Sequence, residues 1–411
     1  MNLGNSKTYW LLSRTFTACA LCALLLAAGA TARAQCPADT LTAGLAGPLD
    51  ITQTPLGNLL VAETGTPTPN TGRVSIVDRA GNRRTLLDGL PSGFNAIGDL
   101  SGTNGLLLRG RTLYVVNGEG DSTLAGPVPG TEIPNPNPSS PIFSSILAVH
   151  FSANVERSTT GFTLTAADHL ALKQGQTLTF GAGGDQVTVR LVADFPDFVP
   201  APLPFFAANV RHSNPYHLVA IEDQLYVTDA GQNLVWRVDI ESGAFAPLAV
   251  FPPIPNPAPF GPPVIEAVPT GITLLGDQLL VTLFRGFPFP PGTSEVRTVD
   301  PETGAHSALI TGLSSAIGVL PLKGGGAAGL LTLELSTDLL GGAPGRLRRY
   351  ATTGGAPADL ATCLISPSSM AYDQKTGTLY ITEVFTGRIV TLSIGAGPGK
   401  ASAAPGKSGV F

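Results

Sequence analysis

Charge is scarce in this chain. Lys and Arg number 24 and Asp and Glu 29 among 411 residues, 13% in all, and the net charge is −5. No basic stretch is present, so a nucleic-acid partner is excluded on electrostatic grounds. Compact catalytic signatures are missing too. There is no HExxH or CxxC pattern for zinc and no GxSxG elbow for a nucleophilic serine. The tail segment GPGKASAAPGKS has Ala401 where a phosphate loop needs its first glycine. Long apolar runs are absent beyond the N-terminus: VLPLKGGGAAGLLTLEL is broken by Lys323 and glycines, so no membrane span is expected.

The first 34 residues form a separate unit. Lys7 and Arg14 precede the apolar stretch Thr17–Ala28, and Ala32-Arg33-Ala34 is a small-residue cleavage pattern before Gln35. This order is that of a secretory signal peptide, too short to span a bilayer. Its removal takes away Lys7, Arg14 and Arg33 and no acid, which moves the charge from −5 to −8. The expected product is secreted or periplasmic. Of the four cysteines only Cys36 and Cys363 then remain. Export permits a disulfide; the repeat register puts both on outer strands of neighbouring units, and pairing stays open.

Glycine and proline are abundant, 49 and 36 residues, about a fifth of the chain. With 43% hydrophobic residues, that composition describes a turn-dense globular protein of many short strands. The strands come in repeats. The clearest is Ser213–Phe245, SNPYHLVAIEDQLYVTDAGQNLVWRVDIESGAF: an apolar strand, a turn, LYVTD, a Gly/Asn turn, LVWRVD and another turn. Related units begin at Pro48, Asn104, Val268, Ser314 and Pro367. Equivalent second-strand residues are Leu60, Tyr114, Tyr226, Leu280, Leu331 and Tyr380, at intervals of 54, 112, 54, 51 and 49. Four strands every 50 residues or so predict an all-β, six-bladed β-propeller over residues 35–394. The long interval is read as an insertion at about 150–205, with Thr160–Leu191 an inserted hairpin with room for a short helix. The sixth unit has only three strands, so Ala38–Gly47 is expected to return as its fourth and close the ring. The Gly/Ala/Ser/Pro/Lys tail from residue 395 is expected to be disordered.

Second strands end in a polar residue in five units: Glu63, Asn117, Asp229, Glu334 and Glu383. In a propeller these positions share one level around the axis. Gathered oxygens of this kind suit Ca²⁺, in a layout similar to that of propeller lactonases. The competing reading is that each acid caps its own turn by accepting backbone N–H groups. The fourth unit offers Leu283 and Arg285 instead, and Arg285 could salt-bridge into the ring. Of the five histidines, His217 follows Tyr216 on an expected inner strand and could face the channel. The Pro-rich, Phe-bearing loops FPPIPNPAPF and RGFPFPPG could form an apolar rim, or simply be ordered surface turns.

In SNPYHLVAIEDQLYVTDAGQNLVWRVD, VPTGITLLGDQLLVTLFRGFPFPPGTSEVRTVD and SPSSMAYDQKTGTLYITEVFTGRIVTL the chain resembles the ScyD/ScyE family of exported, NHL-like propeller proteins. The likeness runs from Pro48 to Ile394. It departs in the Thr160–Leu191 insertion and at Phe284-Arg285, where smaller residues are expected. It implies a six-bladed propeller outside the cytoplasm and no particular chemistry. The function expected at this point is a monomeric, non-catalytic binding or scaffold protein holding an unidentified protein or small ligand. The alternative is a Ca²⁺-dependent hydrolase or lactonase with Glu63, Asn117, Asp229 and Glu383 as ligands. One outcome is checked directly: the exported protein should begin at Gln35, and intact mass spectrometry showing residues 1–34 retained would remove the leader reading.

Overall fold

The computed structural model describes residues 36, 38–322, 329–352 and 354–395. The leader and the tail from 396 onward lie outside the described residues.

Six antiparallel sheets stand around an axis as a six-bladed β-propeller. The innermost strands are Pro48–Gln53, Thr103–Arg109, Pro215–Ile221, Pro269–Leu275, Ala316–Leu322 and Pro367–Asp373. Each is followed across a tight turn by a second strand whose residues are almost all buried, as in Leu59–Glu63 and Gly329–Glu334. Both faces of a blade are covered by neighbours, so these strands read as continuous apolar runs rather than alternating ones.

The apolar core follows from that stacking. It falls into six clusters, and each spans one junction between adjacent blades. Leu106 and Leu113 of blade 2 pack on Leu60 and Val74 of blade 1. Ala371 and Tyr380 of blade 6 pack on Ile51 and Val61 of blade 1. No single centre holds the molecule; the ring holds because the last junction is made.

That junction is closed as expected. Asp39–Ala43 pairs antiparallel with Arg388–Ser393 and so becomes the outer strand of blade 6, in the order outer, third, second, inner. Cys36, just ahead of it, is disulfide-bonded to Cys363 in the outer strand of blade 5, with Cα atoms 5.7 Å apart. Two outer strands of adjacent blades therefore come close enough to bridge.

The insertion differs in detail from the expected hairpin. Val187–Asp194 is not extra: it pairs with Ser145–Phe151 as the outer strand of blade 2. Leu178–Phe180 adds a fifth strand outside it. Two short helices, Ala153–Ser158 and Ala166–Lys173, precede that pair, and Phe162–Thr163 runs parallel to the outer strand of blade 1. Thr165 and Asp168 form a reciprocal cap on the second helix, a signal that was present in TLTAAD. Glu156 anchors the first helix. It is buried and accepts from Thr54 Oγ1 at 2.5 Å, Asn58 Nδ2 at 3.0 Å and Arg111 at 2.7 Å.

A cross-link between residues 327 apart removes much of the unfolded chain's freedom, on the order of 5 kcal/mol in the chain-entropy account. Cys363→Ser, or dithiothreitol on the native protein, should therefore lower the chemical denaturation midpoint. Coincident unfolding curves for oxidised and reduced protein would show that strand pairing alone closes the ring.

Candidate functional site

The polar residues ending the second strands do not meet. Glu63 accepts from Ala46 N at 2.6 Å and from Ser75 Oγ, with Arg83 3.2 Å away. Glu334 accepts from Ser314 N at 2.6 Å and from both prongs of Arg346, at 2.5 and 3.0 Å. Glu383 accepts from Ile365 N at 2.7 Å, Arg388 Nε at 2.5 Å and Thr386 Oγ1 at 3.0 Å. Asp229 takes Asn214 N and Gln232 N on one oxygen and Trp236 Nε1 on the other, at 2.8, 2.9 and 2.9 Å. Burial pushes its carboxyl up, against the pull of those donors. Asn117 donates to Ser145 Oγ at 3.1 Å. Each of the four acids thus ties its own blade to the segment that enters it, whereas Asn117 ties the second strand of blade 2 to its third. Among the described residues no group of three or more His, Cys, Asp or Glu is placed to hold a metal ion. Arg285 does not reach into this level either: it pairs with Glu295 of its own blade at 2.9 Å.

Side chains do converge one strand further in. Every inner strand carries a bulge just after its first residue, shown by the register shifts at Pro48/Asp50, Thr103/Leu106, Pro215/Leu218, Pro269/Ile272, Ala316/Gly318 and Pro367/Ser369. Bulges re-aim side chains at such points. The third residue of each inner strand is then Asp50, Gly105, His217, Gly271, Gly318 or Ser369. Two of these glycines are required by close approach. A Cβ on Gly105 would lie 2.5 Å from Tyr216 O, and one on Gly271 2.8 Å from Ile317 O.

The other three residues form a polar arc. Asp50 Oδ2 lies 3.1 Å from His217 Nε2 and accepts from Leu106 N at 2.6 Å. Asp50 Oδ1 accepts from Ser369 Oγ at 2.5 Å and Ile51 N at 2.8 Å. One carboxylate therefore joins blades 1, 2, 3 and 6. Burial alone would raise the Asp50 carboxyl, but the His217 charge and these donors outweigh it and hold it below its usual range. Burial would likewise lower His217; the Asp50 charge and hydrogen bond and the Ile272 carbonyl outweigh it and raise the imidazole. Each partner thus favours the other's charged form against the cost of burial. His217 Nδ1 points at the main chain of Ile272, 3.1 Å from its oxygen. Ser369 contacts the carboxylate rather than the imidazole, so it is not an activated nucleophile of the triad kind.

A cavity of about 300 Å³ adjoins this arc inside the channel, with walls that include Leu107, Val219, Val319, Leu320 and Tyr372. That size and mix of apolar wall and few polar groups suit a small organic molecule. Asp50 and Ser369 escaped the sequence reading, which looked for the channel groups in His217 and in the ring of second-strand acids. The signal lay in the aligned entries PLDI, TNGL, PYHL, PTGI, AIGV and PSSM, whose third letters face one another.

A second polar group lies where loops of blades 2 and 3 meet. His212 stands between Glu132 and Glu119, with Nδ1 2.8 Å from the first and Nε2 3.4 Å from the second. Glu119 also accepts from Asn95 Nδ2 at 2.9 Å. Burial pulls His212 down, but the two carboxylates push it up to about 9. This cluster knits two surface hairpins, Thr123–Pro134 and Phe198–His212, to the ring. His169 is structural: it is buried and bonds Gly89 O at 2.8 Å, and burial lowers its pKa.

No family model matches the chain, and no curated protein matches it. Solved structures do. One is the PQQ-bound form of an aldose sugar dehydrogenase from Streptomyces coelicolor, 15% identical, with a TM-score of 0.49, covering 86% of this chain and 96% of the other. Another is a putative oxidoreductase (glucose dehydrogenase) from Thermus thermophilus, 16% identical, with a TM-score of 0.46, covering 86% and 98%. At such identity the likeness is one of fold. The expectation of a non-catalytic binding or scaffold module has no counterpart in the printed descriptions of either neighbour. That expectation rested on propellers serving as binding platforms, and these propellers are described as dehydrogenases. The hydrolase or lactonase alternative fares no better, because Glu63, Asp229 and Glu383 are each occupied at the entry of their own blade and no three such groups meet among the described residues.

The sign of the His212 effect follows from its raised pKa. The stability it contributes is complete below about 6.5, its unfolded value, and is lost as pH rises through about 9. His212→Gln should therefore melt lower than the native protein near neutral pH, and the gap should close by about pH 10. A gap that is constant across this range would contradict the ion cluster.

Proposed function

We propose that the protein is an enzyme, an oxidoreductase acting on a small, largely apolar molecule that bears a hydroxyl or carbonyl group and lies in the central channel. The carrying observation is the Asp50–His217 pair beside the cavity. Asp50 backs the imidazole through Nε2, which leaves Nδ1 as the reactive nitrogen. Its present partners are the main-chain oxygen and nitrogen of Ile272, at 3.1 and 3.3 Å, whose place a substrate oxygen can take. Protonated His217 gives a proton to a carbonyl oxygen while a soluble two-electron donor, a reduced quinone-type carrier, delivers hydride to the carbonyl carbon and the alcohol forms. In the opposite direction neutral His217 takes the hydroxyl proton, while the hydride leaves to the oxidised form of that carrier. Such a positioned acid or base contributes on the order of 10²–10⁴ in rate. Ser369 lies within the same arc and orients the substrate oxygen.

PQQ, held by the first of the solved neighbours, is a quinone with three carboxylates and does not fit the residues present. Arg211 is already paired with Glu266, the acids ending the second strands are taken, and the channel arc offers three carboxylates only His217, which Asp50 already holds. No step here passes through it. Export and membership in the ScyD/ScyE family belong to the same proposal, supported by the leader pattern and by Asn214-Pro215-Tyr216, Thr228-Asp229-Ala230-Gly231 and Val268-Pro269-Thr270-Gly271.

The test is reduction of a redox dye by the mature protein across a panel of simple alcohols of increasing hydrocarbon length. Turnover should fall by about 100-fold or more in His217→Gln and be indifferent to added PQQ. Because His217 is raised, the base form that oxidation needs should be withheld until above pH 6.5 or so, so the acid limb of dye-linked oxidation should lie above that value. No turnover with any member of the panel, or full turnover in a folded His217→Gln, would contradict the reading.

A further inference from the structure

Blade 4 is the unit whose second strand ends in Leu283 where most others end in an acid. The cation two residues on takes up an unusual position. Arg285 has a φ of 78°, a left-handed conformation that a residue with a long side chain rarely adopts, and its side chain is only 5% exposed. Its Nη2 donates to Glu295 at 2.9 Å and its Nε to Thr293 O at 3.2 Å. Its Nη1 is buried with no hydrogen-bond partner among the described residues. A buried guanidinium arm without an acceptor is costly to leave unmade.

A second cation competes for the same acceptor. Arg297 Nη1 is 2.8 Å from the same Glu295 oxygen, and Arg297 Nε donates to His306 Nδ1 at 3.1 Å. Two guanidiniums thus share one carboxylate, a net positive pocket in an acidic protein. These residues line a cavity of about 400 Å³ whose other wall is apolar, made by Phe251, Pro252, Ile254 and Leu283.

We propose that this cavity is a binding site for a small organic carboxylate. The carboxylate pairs with the Arg285 and Arg297 guanidiniums where they line the cavity, and the hydrocarbon part lies against Phe251 and Leu283. The planar fork of an arginine matches a carboxylate, and the apolar wall favours an organic anion over an inorganic one. The site shares no residue with the channel arc, so it stands or falls independently of the function proposed above.

Titration calorimetry with benzoate, and separately with inorganic phosphate, tests it on the mature protein. Benzoate should bind at one site in the native protein. Glu295→Gln, which keeps both cations and removes the competing charge, should bind it roughly tenfold more tightly. Arg285→Met should lose binding while still melting cooperatively. If that variant does not fold, the tightening in Glu295→Gln decides the matter. No benzoate binding in either the native protein or Glu295→Gln, or equal binding in a folded Arg285→Met, overturns the proposal. Phosphate binding without benzoate binding overturns the organic class.

Discussion

Everything in this molecule depends on blades packing face to face around a closed ring. A four-stranded blade alone would expose two apolar faces, and each face is covered only by the next blade. Burial of that surface, roughly 25 cal/mol per Å², is therefore available in full only when six junctions exist. Polar ties repeat the same logic near the axis. Asn104 donates to Pro215 O at 2.7 Å, Thr270 to Ala316 O at 3.2 Å and Ser368 to Pro48 O at 2.8 Å. In each case a blade's second inner residue holds the first residue of the next blade. Blades 2, 4 and 6 make these ties, and the last one joins the end of the chain to its beginning.

The polar arc is a consequence of this closure. Asp50 comes from blade 1, His217 from blade 3 and Ser369 from blade 6, and no segment of sequence contains two of them. Bulges at one level turn these residues inward, and glycines at that level let neighbouring strands approach. A buried ion pair is costly unless its remaining hydrogen-bonding positions are filled. Here Asp50 has four partners, which makes the pair stable enough to serve as a preset acid.

Sequence made the architecture legible because the repeat spacing reports it. The strands around LYVTD and LYITE, the missing fourth strand of the sixth unit and its supply by Asp39–Ala43 all follow from period and register. The site was less legible. The acids that end four of the second strands stood out because they recur, and recurrence marked a structural duty: holding the entry of their own blades. The residues that face one another in the channel differ from blade to blade, so no pattern flagged them. Val187–Asp194 was taken for part of an insertion because the helices and the extra strand displace it along the chain, although in space it completes blade 2. Arg285 was noticed as a departure from the repeat, but its pairing with Glu295 depends on a turn that the sequence does not reveal.

The most direct test of the account is the titration of His217 followed by NMR of the imidazole protons, in the native protein and in Asp50→Asn. With five histidines in the chain, assignment by single substitution is practicable. The account predicts a His217 midpoint above the ordinary imidazole value of about 6.5, falling when the Asp50 charge is removed. A native midpoint at or below that value, or one indifferent to Asp50→Asn, would mean that the channel holds no charged pair and would contradict the acid assigned to it.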